Sequence, residues 1–539
     1  MKKSILMLVL LFPVLVFGQV KFSDDFSVST GTPYPVVDAK NKQYFPDGKG
    51  NSISIKTEEK TITVQRYDVT ANKEINRNVY TDLPADSRVE KILPIGGRLF
   101  YFYSTPTKTK TISLNVREIS LNDGTLKAPK LLFETKGEVA GSMVGADPVT
   151  GFAAYGALFG GGKLFDLSTS FDQSKILIRY RRKPLSKDDD TNFDVLGFFV
   201  FSSNLDKING AEVKMPYTEK KMNNLAYTVA NDGTAFMLAF ITDVKAFELF
   251  SLKDAGVIKA YKLDVDATLF FQELKMAENA EGNLVCTGYY ANGMDVKVNW
   301  TGSMALSMNT NGILRFKMSK AGVTLEKYKY DFPIALINQY ESANSKEKNA
   351  ARESDGKAGI NDLKMINLVE NKDGSTLILG EQTYTRNELV GTSTKNVYYY
   401  SDMVFTKIDK SGKLVWMIKL PKTQIGFAGR GGNGVKFIQG AAGAHYILFL
   451  DNKKNADITK DAVPVKRTDG DGGYLTAYKV DDATGTYTKH QILDIENINK
   501  IEAYQFSTSR IFDATDKIFL VEIYKKGKED VMIKLQLKN

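Results

Sequence analysis

The sequence predicts an all-β protein assembled from repeated hairpins, and three observations predict it. Tyr (26) and Phe (31) are abundant while Pro (14) and Trp (2) are scarce, a balance that favours strands. Short turns rich in Asp, Asn, Gly and Lys recur between apolar runs, as tight hairpins require. No helix-length amphipathic run is present. Each observation favours strands over helices.

Two kinds of hairpin alternate along the chain. The clearest of the first kind spans residues 365–380 and turns at 371–375, and the clearest of the second spans 403–418 and turns at 409–413. About eight of the first kind and about seven of the second follow one another at spacings on the order of 40–70 residues. Such alternation is typical of four-stranded β-propeller blades. The sequence therefore predicts a β-propeller of eight four-stranded blades. Seven blades are the main alternative, and a β-sandwich array or a two-domain protein is another.

The two ends of the chain complement each other in this interpretation. After the last hairpin of the first kind only one strand follows, at residues 531–535, and a strand-like stretch at 21–28 lies outside the first blade. A ring leaves no exposed edge only if the last blade is completed. We therefore expect the N-terminal stretch to supply that missing strand, with residues 19–539 forming a single propeller domain.

The N-terminus has the pattern of a secretory signal peptide. Lys2 and Lys3 precede an almost wholly apolar run at residues 5–17, and Gly18 offers a small residue for cleavage. This run is too short to span a membrane, and no later segment is long and apolar enough. Residues 1–18 contain no cysteine, so a lipoprotein is not expected. The sequence predicts an exported protein of the periplasm or the extracellular space.

Most common chemistries are missing from the sequence. Cys286 is the single cysteine and lies in an apolar run, and His445 and His490 are the two histidines. Two histidines cannot form a three-histidine metal site, and no nucleophile elbow, zinc-protease helix motif or phosphate loop occurs. The formal net charge of +9 comes from scattered lysines rather than a basic stripe, so nucleic acid is not an expected partner. The sequence favours a non-catalytic protein.

Long insertions fall only between the second and third strands of a blade or between successive blades. These segments are residues 134–162, 184–193, 291–311, 332–361, 384–400, 422–434 and 453–473. Both connection types open on the same side of a propeller because its strands are antiparallel. Binding residues concentrate on loops held by a rigid scaffold. The sequence therefore predicts one loop-rich face, near the mouth of the central channel, as the place of binding.

Aromatic and basic side chains on these segments are the candidate binding residues. They are Tyr289, Tyr290, Trp300, Tyr398, Tyr399, Phe427 and Arg430. Glycines on both sides of the last two would let a ligand approach the backbone closely. The alternative explanation is that the aromatic rings pack the loops onto the blades.

Two acidic loops are the candidate metal sites. They contribute Asp188, Asp190, Asp469 and Asp471, oxygen ligands of the kind that calcium prefers. Neither loop matches the twelve-residue EF-hand pattern, and a solvated acidic loop is the alternative. No other cofactor is expected.

Two stretches of the sequence carry a resemblance to known proteins. They are Val16-Phe17-Gly18-Gln19, at the end of the predicted signal peptide, and the blade sequence at residues 402–422, which includes Trp416. In these stretches the chain resembles uncharacterised exported propeller-like proteins of Bacteroidota. The resemblance is one of general sequence character over the whole chain, and it implies no site residue. The expected function is a monomeric, non-catalytic binding or scaffold propeller that engages a protein or a glycan through its loop-rich face. A polysaccharide-active hydrolase or lyase and a structural component of an envelope assembly are the alternatives.

Overall fold

Strands make up most of the described chain. The computed structural model describes residues 21–141, 163–185, 190–254, 256–298, 304–391, 393–427, 432–440, 443–459 and 462–538. The predicted signal peptide, residues 1–18, lies outside these ranges and stays a prediction. The all-β prediction is confirmed.

The strands and helices occur in the following order. The N-terminal strands are β1 (Phe26–Thr30) and β2 (Tyr34–Pro35). Blade 1 contains β3 (Asn41–Pro46), β4 (Asn51–Glu58), β5 (Thr61–Asp68) and β6 (Lys73–Tyr80). Blade 2 contains β7 (Arg88–Ile95), β8 (Arg98–Pro106), β9 (Ile112–Ile119) and β10 (Lys130–Glu134). Blade 3 contains β11 (Val139–Gly141), β12 (Asp166–Thr169), β13 (Lys175–Arg182), β14 (Phe193–Ser202) and β15 (Lys207–Thr218). Blade 4 contains β16 (Met222–Val229), β17 (Ala235–Ile241), β18 (Ala246–Leu252) and β19 (Ile258–Lys262).

The second half of the chain carries the insertions. Blade 5 contains β20 (Phe270–Glu278) and β21 (Leu284–Ala291), an inserted hairpin of β22 (Met294–Val298) and β23 (Met304–Thr310), and then β24 (Gly312–Met318) and β25 (Thr324–Asp331). Helices α1 (Ile334–Asn338) and α2 (Ala343–Glu353) and strand β26 (Ile360–Asn361) follow. Blade 6 contains β27 (Leu363–Glu370), β28 (Thr376–Val390), β29 (Ser393–Ile408) and β30 (Leu414–Leu420), and β31 (Gln424–Gly426) comes after it. Blade 7 contains β32 (Val435–Gln439), β33 (Ala444–Asp451), β35 (Tyr474–Asp481) and β36 (Tyr487–Asp494), with β34 (Arg467–Thr468) inserted. Blade 8 contains β37 (Ile511–Asp513), β38 (Ile518–Lys525) and β39 (Glu529–Leu537).

The last blade is completed by the N-terminal strand. Its strand order is β37-β38-β39-β1, and β1 pairs antiparallel with β39 from Phe26 opposite Leu537 to Thr30 opposite Ile533. This confirms the predicted propeller and its closure by both chain ends, although the closing strand is β1 rather than the whole of residues 21–28. Eight sheets of the described chain hold a run of four antiparallel strands. The number of blades in the ring stays a prediction, because residues 142–162 are not among those described.

Apolar side chains fill the spaces between neighbouring blades. Ile53 and Ile55 of blade 1 pack with Leu99 and Tyr101 of blade 2, and similar cores follow along the chain. Phe26 of β1 belongs to the core between blades 7 and 8. Each blade therefore buries both of its faces, which is why its middle strands are apolar on both sides instead of alternating.

The recurring turns form as the sequence predicts. At 371–375 the Asp373 carboxylate accepts the Ser375 N–H at 2.9 Å, and Gly374 takes a positive φ of 85°. At 409–413 the Asp409 carboxylate accepts from two backbone N–H groups, and Gly412 has a φ of 80°. The Asx side chain satisfies the turn while glycine supplies its left-handed angle.

Gly412 also lets two blades approach each other, which gives a testable expectation. A Cβ at Gly412 would lie 2.1 Å from the Tyr328 ring, whereas one at Gly391, which also has a positive φ, would meet nothing within 4 Å. Gly391→Ala is expected to lower the free energy of unfolding by about 1 kcal/mol because a Cβ is disfavoured in the left-handed conformation, and Gly412→Ala by about 2–4 kcal/mol because overpacking is added. Urea denaturation of both variants checks this. Equal losses would contradict a role for the contact with Tyr328.

The helices are a departure from the sequence prediction. Helix α2 has no buried residue, and the Ser342 side chain caps it by accepting the Ser345 N–H. A helix without an apolar face leaves no hydrophobic periodicity in the sequence, so the serine cap and the helix-forming residues were its only signals. No helix in the described part of the chain is long and apolar enough to cross a membrane.

Candidate functional site

The insertions of the described chain open on one face of the propeller. The hairpin β22–β23, the helices, the extensions of β28 and β29, and the short strands β31 and β34 all lie in second-to-third-strand connections or in connections between blades. The turns on the opposite face are short. We call the side that carries the insertions the loop-rich face.

Strand β31 joins three of these insertions into one sheet. It pairs antiparallel with β29, where Tyr398 lies opposite Gly426, and parallel with β34, where Gln424 lies opposite Arg467. Blade 6 is thereby extended over blade 7. Backbone pairing therefore links the three segments directly to one another.

A buried lysine anchors this extension to the body of the propeller. The Lys422 ammonium lies 2.7 Å from the Glu381 carboxylate, and both side chains are at most 1% exposed. It also donates to the Gln424 side chain at 2.9 Å and to the Tyr400 carbonyl at 3.1 Å. Gln424 in turn donates to the Leu450 carbonyl of blade 7. A buried charge needs an ionic partner and hydrogen bonds of this kind, so these contacts help to determine where β31 lies.

A cleft of about 520 Å³ lies beside this sheet, between the β33–β35 connection and the connection from blade 7 to blade 8. The residues of its lining that matter here are Arg467, Asp469, Asp471, Glu496, Tyr504 and Arg510. Three of the six are acidic, two are basic and one is aromatic. We call this cavity the blade 7–8 cleft.

The acidic wall of the cleft is held by backbone contacts. The Asp469 carboxylate accepts the Gly432 N–H at 3.0 Å, and the Asp471 carboxylate accepts the Thr468 N–H at 3.2 Å. Arg467 is buried and donates to the carbonyls of Gly472 and Asp471. Burial lowers the pKa of Arg467, and the neighbouring carboxylates oppose that fall. Arg467 therefore shapes the loop instead of reaching into the cleft.

The opposite wall presents an exposed aromatic ring and a guanidinium. Lys526 Nζ lies 5.5 Å from the centre of the Tyr504 ring, so a cation already contacts one face of that ring. Tyr504 is 61% exposed, and its position is set by backbone bonding to Tyr524 and by an edge-on ring contact at 6.1 Å. Arg510 is half-buried, and among the described residues no carboxylate lies within ion-pair distance of it. The cleft thus combines an aromatic platform, a guanidinium without an acidic partner, and carboxylates facing them.

A second cavity of about 440 Å³ lies on the extended β28–β29 hairpin and includes Tyr398 in its lining. Tyr399 points to the other side of the hairpin, where its ring stacks on Tyr384 at 4.7 Å and its hydroxyl donates to Glu388. Burial and the Glu388 carboxylate raise the pKa of Tyr399 to about 12. Tyr399 is therefore fixed by its own hairpin, and Tyr398 is the member of the pair that faces a cavity.

The structure brings five of the sequence-predicted residues to the extended sheet and leaves the others apart. Tyr398, Tyr399, Phe427, Asp469 and Asp471 lie on or next to β29, β31 and β34. Phe427 is 42% exposed. Trp300, Arg430 and Asp188 lie outside the described residues. Asp190 lies on the connection between β13 and β14 and pairs with Lys220 at 2.8 Å.

Two predicted binding residues lie in the core instead of on a loop. Tyr289 and Tyr290 are 1% and 0% exposed, and Tyr289 packs against Phe332 while the Tyr290 hydroxyl donates to Asp331. Both lie on β21, which has β20 on one side and β24 on the other. Their proximity to a long connection made them look like loop residues, but the strand continues through them and covers both rings.

Sequence reasoning missed Tyr504, Arg510 and Glu496. They belong to the connection between blades 7 and 8, which was not among the segments recognised as long. Its one usable signal is its length, because 16 residues separate β36 from β37 where hairpin turns need two to five. In the described part of the chain, no group of three or more His, Cys, Asp or Glu side chains is placed to hold a metal ion. Calcium binding stays a prediction.

Comparison with known proteins finds similar solved structures but no similar sequence. No protein-family model and no curated protein matches the chain. The WD40 domain of SCAP from fission yeast is similar with a TM-score of 0.36 and 8% identity, covering 96% of this chain and 99% of that one. A protein of unknown function from Dyadobacter fermentans has a TM-score of 0.29 and 10% identity, with 96% and 100% covered. One from Bacteroides caccae has a TM-score of 0.26 and 9% identity, with 66% and 90% covered.

Proposed function

We propose that this protein is an exported, non-catalytic binding propeller that holds a glycan bearing carboxylate groups in its blade 7–8 cleft. The observation that carries the proposal is the pairing of an exposed Tyr504 ring with an Arg510 that has no acidic partner among the described residues. A tyrosine ring offers an amphipathic surface on which an apolar face of a ligand can stack, as a sugar ring would. A guanidinium recognises a carboxylate through charge-assisted hydrogen bonds.

The acidic wall fits the same ligand. Asp469 and Asp471 each keep oxygens available beyond their backbone contacts, and carboxylate oxygens accept hydrogen bonds from hydroxyl groups. Export is supported by the signal pattern at residues 1–18. A cleft of about 520 Å³ is within the usual range of ligand sites and has room for a short stretch of a chain.

The test is titration calorimetry of the full chain with polygalacturonate fragments and with neutral dextran fragments of similar length. Binding of the acidic chain alone is expected. Tyr504→Ala is expected to weaken it about tenfold. Arg510→Gln is expected to weaken it by a similar or larger factor and to remove the preference over the neutral chain.

Two control variants test whether the cleft is the site. Arg386→Gln removes a guanidinium from the β28–β29 hairpin, and Leu185→Ala removes a fully exposed side chain from the loop-rich face outside the cleft. Neither should change the affinity. If the acidic chain does not bind, or if the controls weaken binding as much as the cleft variants do, the proposal is wrong.

Glycan hydrolysis is the second candidate because four carboxylates, those of Asp469, Asp471, Glu496 and Glu502, line the cleft. Two such groups at a suitable separation are what glycosidases require. The same mixtures are therefore assayed for new reducing ends. Their appearance, and its loss in Asp469→Asn, would replace the binding proposal with a catalytic one.

A further inference from the structure

Four charged side chains are buried together where blade 8 meets blade 1. Lys42 and Lys56 come from β3 and β4, and Glu522 and Asp530 come from β38 and β39. The side chains of Lys56, Glu522 and Asp530 are 0% exposed and that of Lys42 is 11% exposed. This cluster spans the seam at which the ring closes, and nothing in the proposed binding function uses it.

Three of these groups are arranged for a reaction. Lys56 Nζ lies 2.6 Å from Glu522 Oε2 and 3.4 Å from Asp530 Oδ2. The hydroxyls of Tyr34 and Tyr44 each donate to Glu522 at 2.8 Å, which fixes that carboxylate beside the amine. An amine and a carboxyl group held at contact distance have a large effective concentration, and little further ordering is needed for them to react.

Asp530 has an oxygen that the rest of the cluster does not satisfy. Its Oδ1 is buried without a hydrogen-bond partner among the described residues. A buried ionised carboxylate with an unsatisfied oxygen is costly. This environment favours the neutral acid, whose carbonyl oxygen tolerates the lack of a partner better.

The charges also balance when Lys56 and Asp530 are both neutral. A proton moved from Lys56 to Asp530 leaves Lys42 and Glu522 as one complete ion pair, 3.2 Å apart. Burial lowers the pKa of Lys56. Burial and the Glu522 charge raise the pKa of Asp530. Burial acts to raise the pKa of Glu522, but the positive charge of Lys42 and the hydrogen bond from Tyr34 act to lower it and remain when Lys56 is neutral, so Glu522 is the group that stays ionised.

From this geometry we infer that Lys56 and Asp530 form an intramolecular isopeptide bond, with Glu522 carrying the proton. The neutral Lys56 amine attacks Cγ of the protonated Asp530, and an Nζ–Cγ bond forms. Glu522 takes a proton from the attacking nitrogen and gives it to the departing hydroxyl, so the Cγ–O bond breaks and one water leaves. Glu522 ends as it began, and no oxidant or other reactant is needed.

The bond would make the closure of the ring covalent. Lys56 and Asp530 are 474 positions apart in the chain, so the link would enclose almost the whole propeller. A cross-link that closes a long loop stabilises a protein mainly by restricting its unfolded state. A covalent bond would then join the two ends in addition to the pairing of β1 and β2 with β39.

Mass spectrometry of the denatured full chain tests this inference. The measured mass is expected to be one water below the mass that the amino-acid composition requires. Peptide mapping is expected to give a branched peptide that joins Lys56 to Asp530. The assignment would be overturned if the measured mass showed no loss of water. It would also be overturned if the branched peptide were linked through Lys42 instead of Lys56.

Variants separate the roles of the three groups. Lys56→Met and Glu522→Gln are expected to show no loss of water from the mass that their composition requires. Lys42→Met is expected to keep the isopeptide bond. A linked Glu522→Gln chain would contradict the part assigned to Glu522. The wild-type measurement decides the existence of the bond whether or not the variants fold, and a failure of glycan binding would leave it unaffected.

Discussion

Replacing Phe26 by Ala is expected to lower the free energy of unfolding by about 3–5 kcal/mol. Phe26 is 5% exposed, and its ring meets that of Tyr446 edge-on at 5.3 Å. It lies on β1 in the core between blades 7 and 8. Because β1 is the strand that completes the last blade, a cavity there weakens the closure of the ring as well as one core. Guanidinium denaturation of the two chains measures the difference.

Phe22→Ala is the matched control. Phe22 has the same side chain only four positions earlier but is 41% exposed, and it precedes β1. Its loss is expected to cost less than about 1 kcal/mol. If both variants lost the same stability, general apolar contact along the N-terminal segment, and not the pairing of β1, would account for the effect.

Lys422→Met is expected to have the second large effect, a loss of about 3–5 kcal/mol. The substitution leaves Glu381 buried and charged without its partner, which lies at 2.7 Å in the native protein. It also removes the hydrogen bonds that Lys422 donates to the Gln424 side chain and to the Tyr400 carbonyl. Urea denaturation measures the stability. Limited proteolysis is expected to show faster cleavage within residues 422–434, because β31 loses its anchor.

The double variant Lys422→Met/Glu381→Gln distinguishes charge from packing. Removing both charges is expected to recover most of the lost stability, since the main cost of the single change is the unpaired carboxylate. Lys395→Met on the exposed part of β29 is the control and should be nearly neutral. If the double variant is no more stable than Lys422→Met, the buried ion pair is not what supports β31.

The repeat pattern predicted the fold well because the residues that form each hairpin turn lie within that hairpin. The turns at 371–375 and 409–413 are formed by Asp and Gly residues that act on neighbours within four positions. Such interactions are local, so the sequence displays them directly. The same reasoning placed the insertions on one face, because antiparallel strand order alone decides on which side a connection emerges.

The site was predicted less well because the exposure of a side chain depends on which strands and loops pack around it in space. Tyr289 and Tyr290 stand beside a long connection in the sequence, yet β20 and β24 enclose their strand. Tyr504 and Arg510 had no motif to mark them, and they became candidates only when the blade 7–8 cleft placed them opposite Asp469 and Asp471.

The sequence by itself determined the all-β class, the alternating hairpins, the completing role of the N-terminal strand and the loop-rich face. Only the tertiary structure decided which loop residues share a cleft and that Lys56, Glu522 and Asp530 meet inside the seam. The physical reason is distance along the chain. Turn and strand preferences act over a few residues, whereas the seam joins groups 474 positions apart, whose contact exists only once the ring has closed.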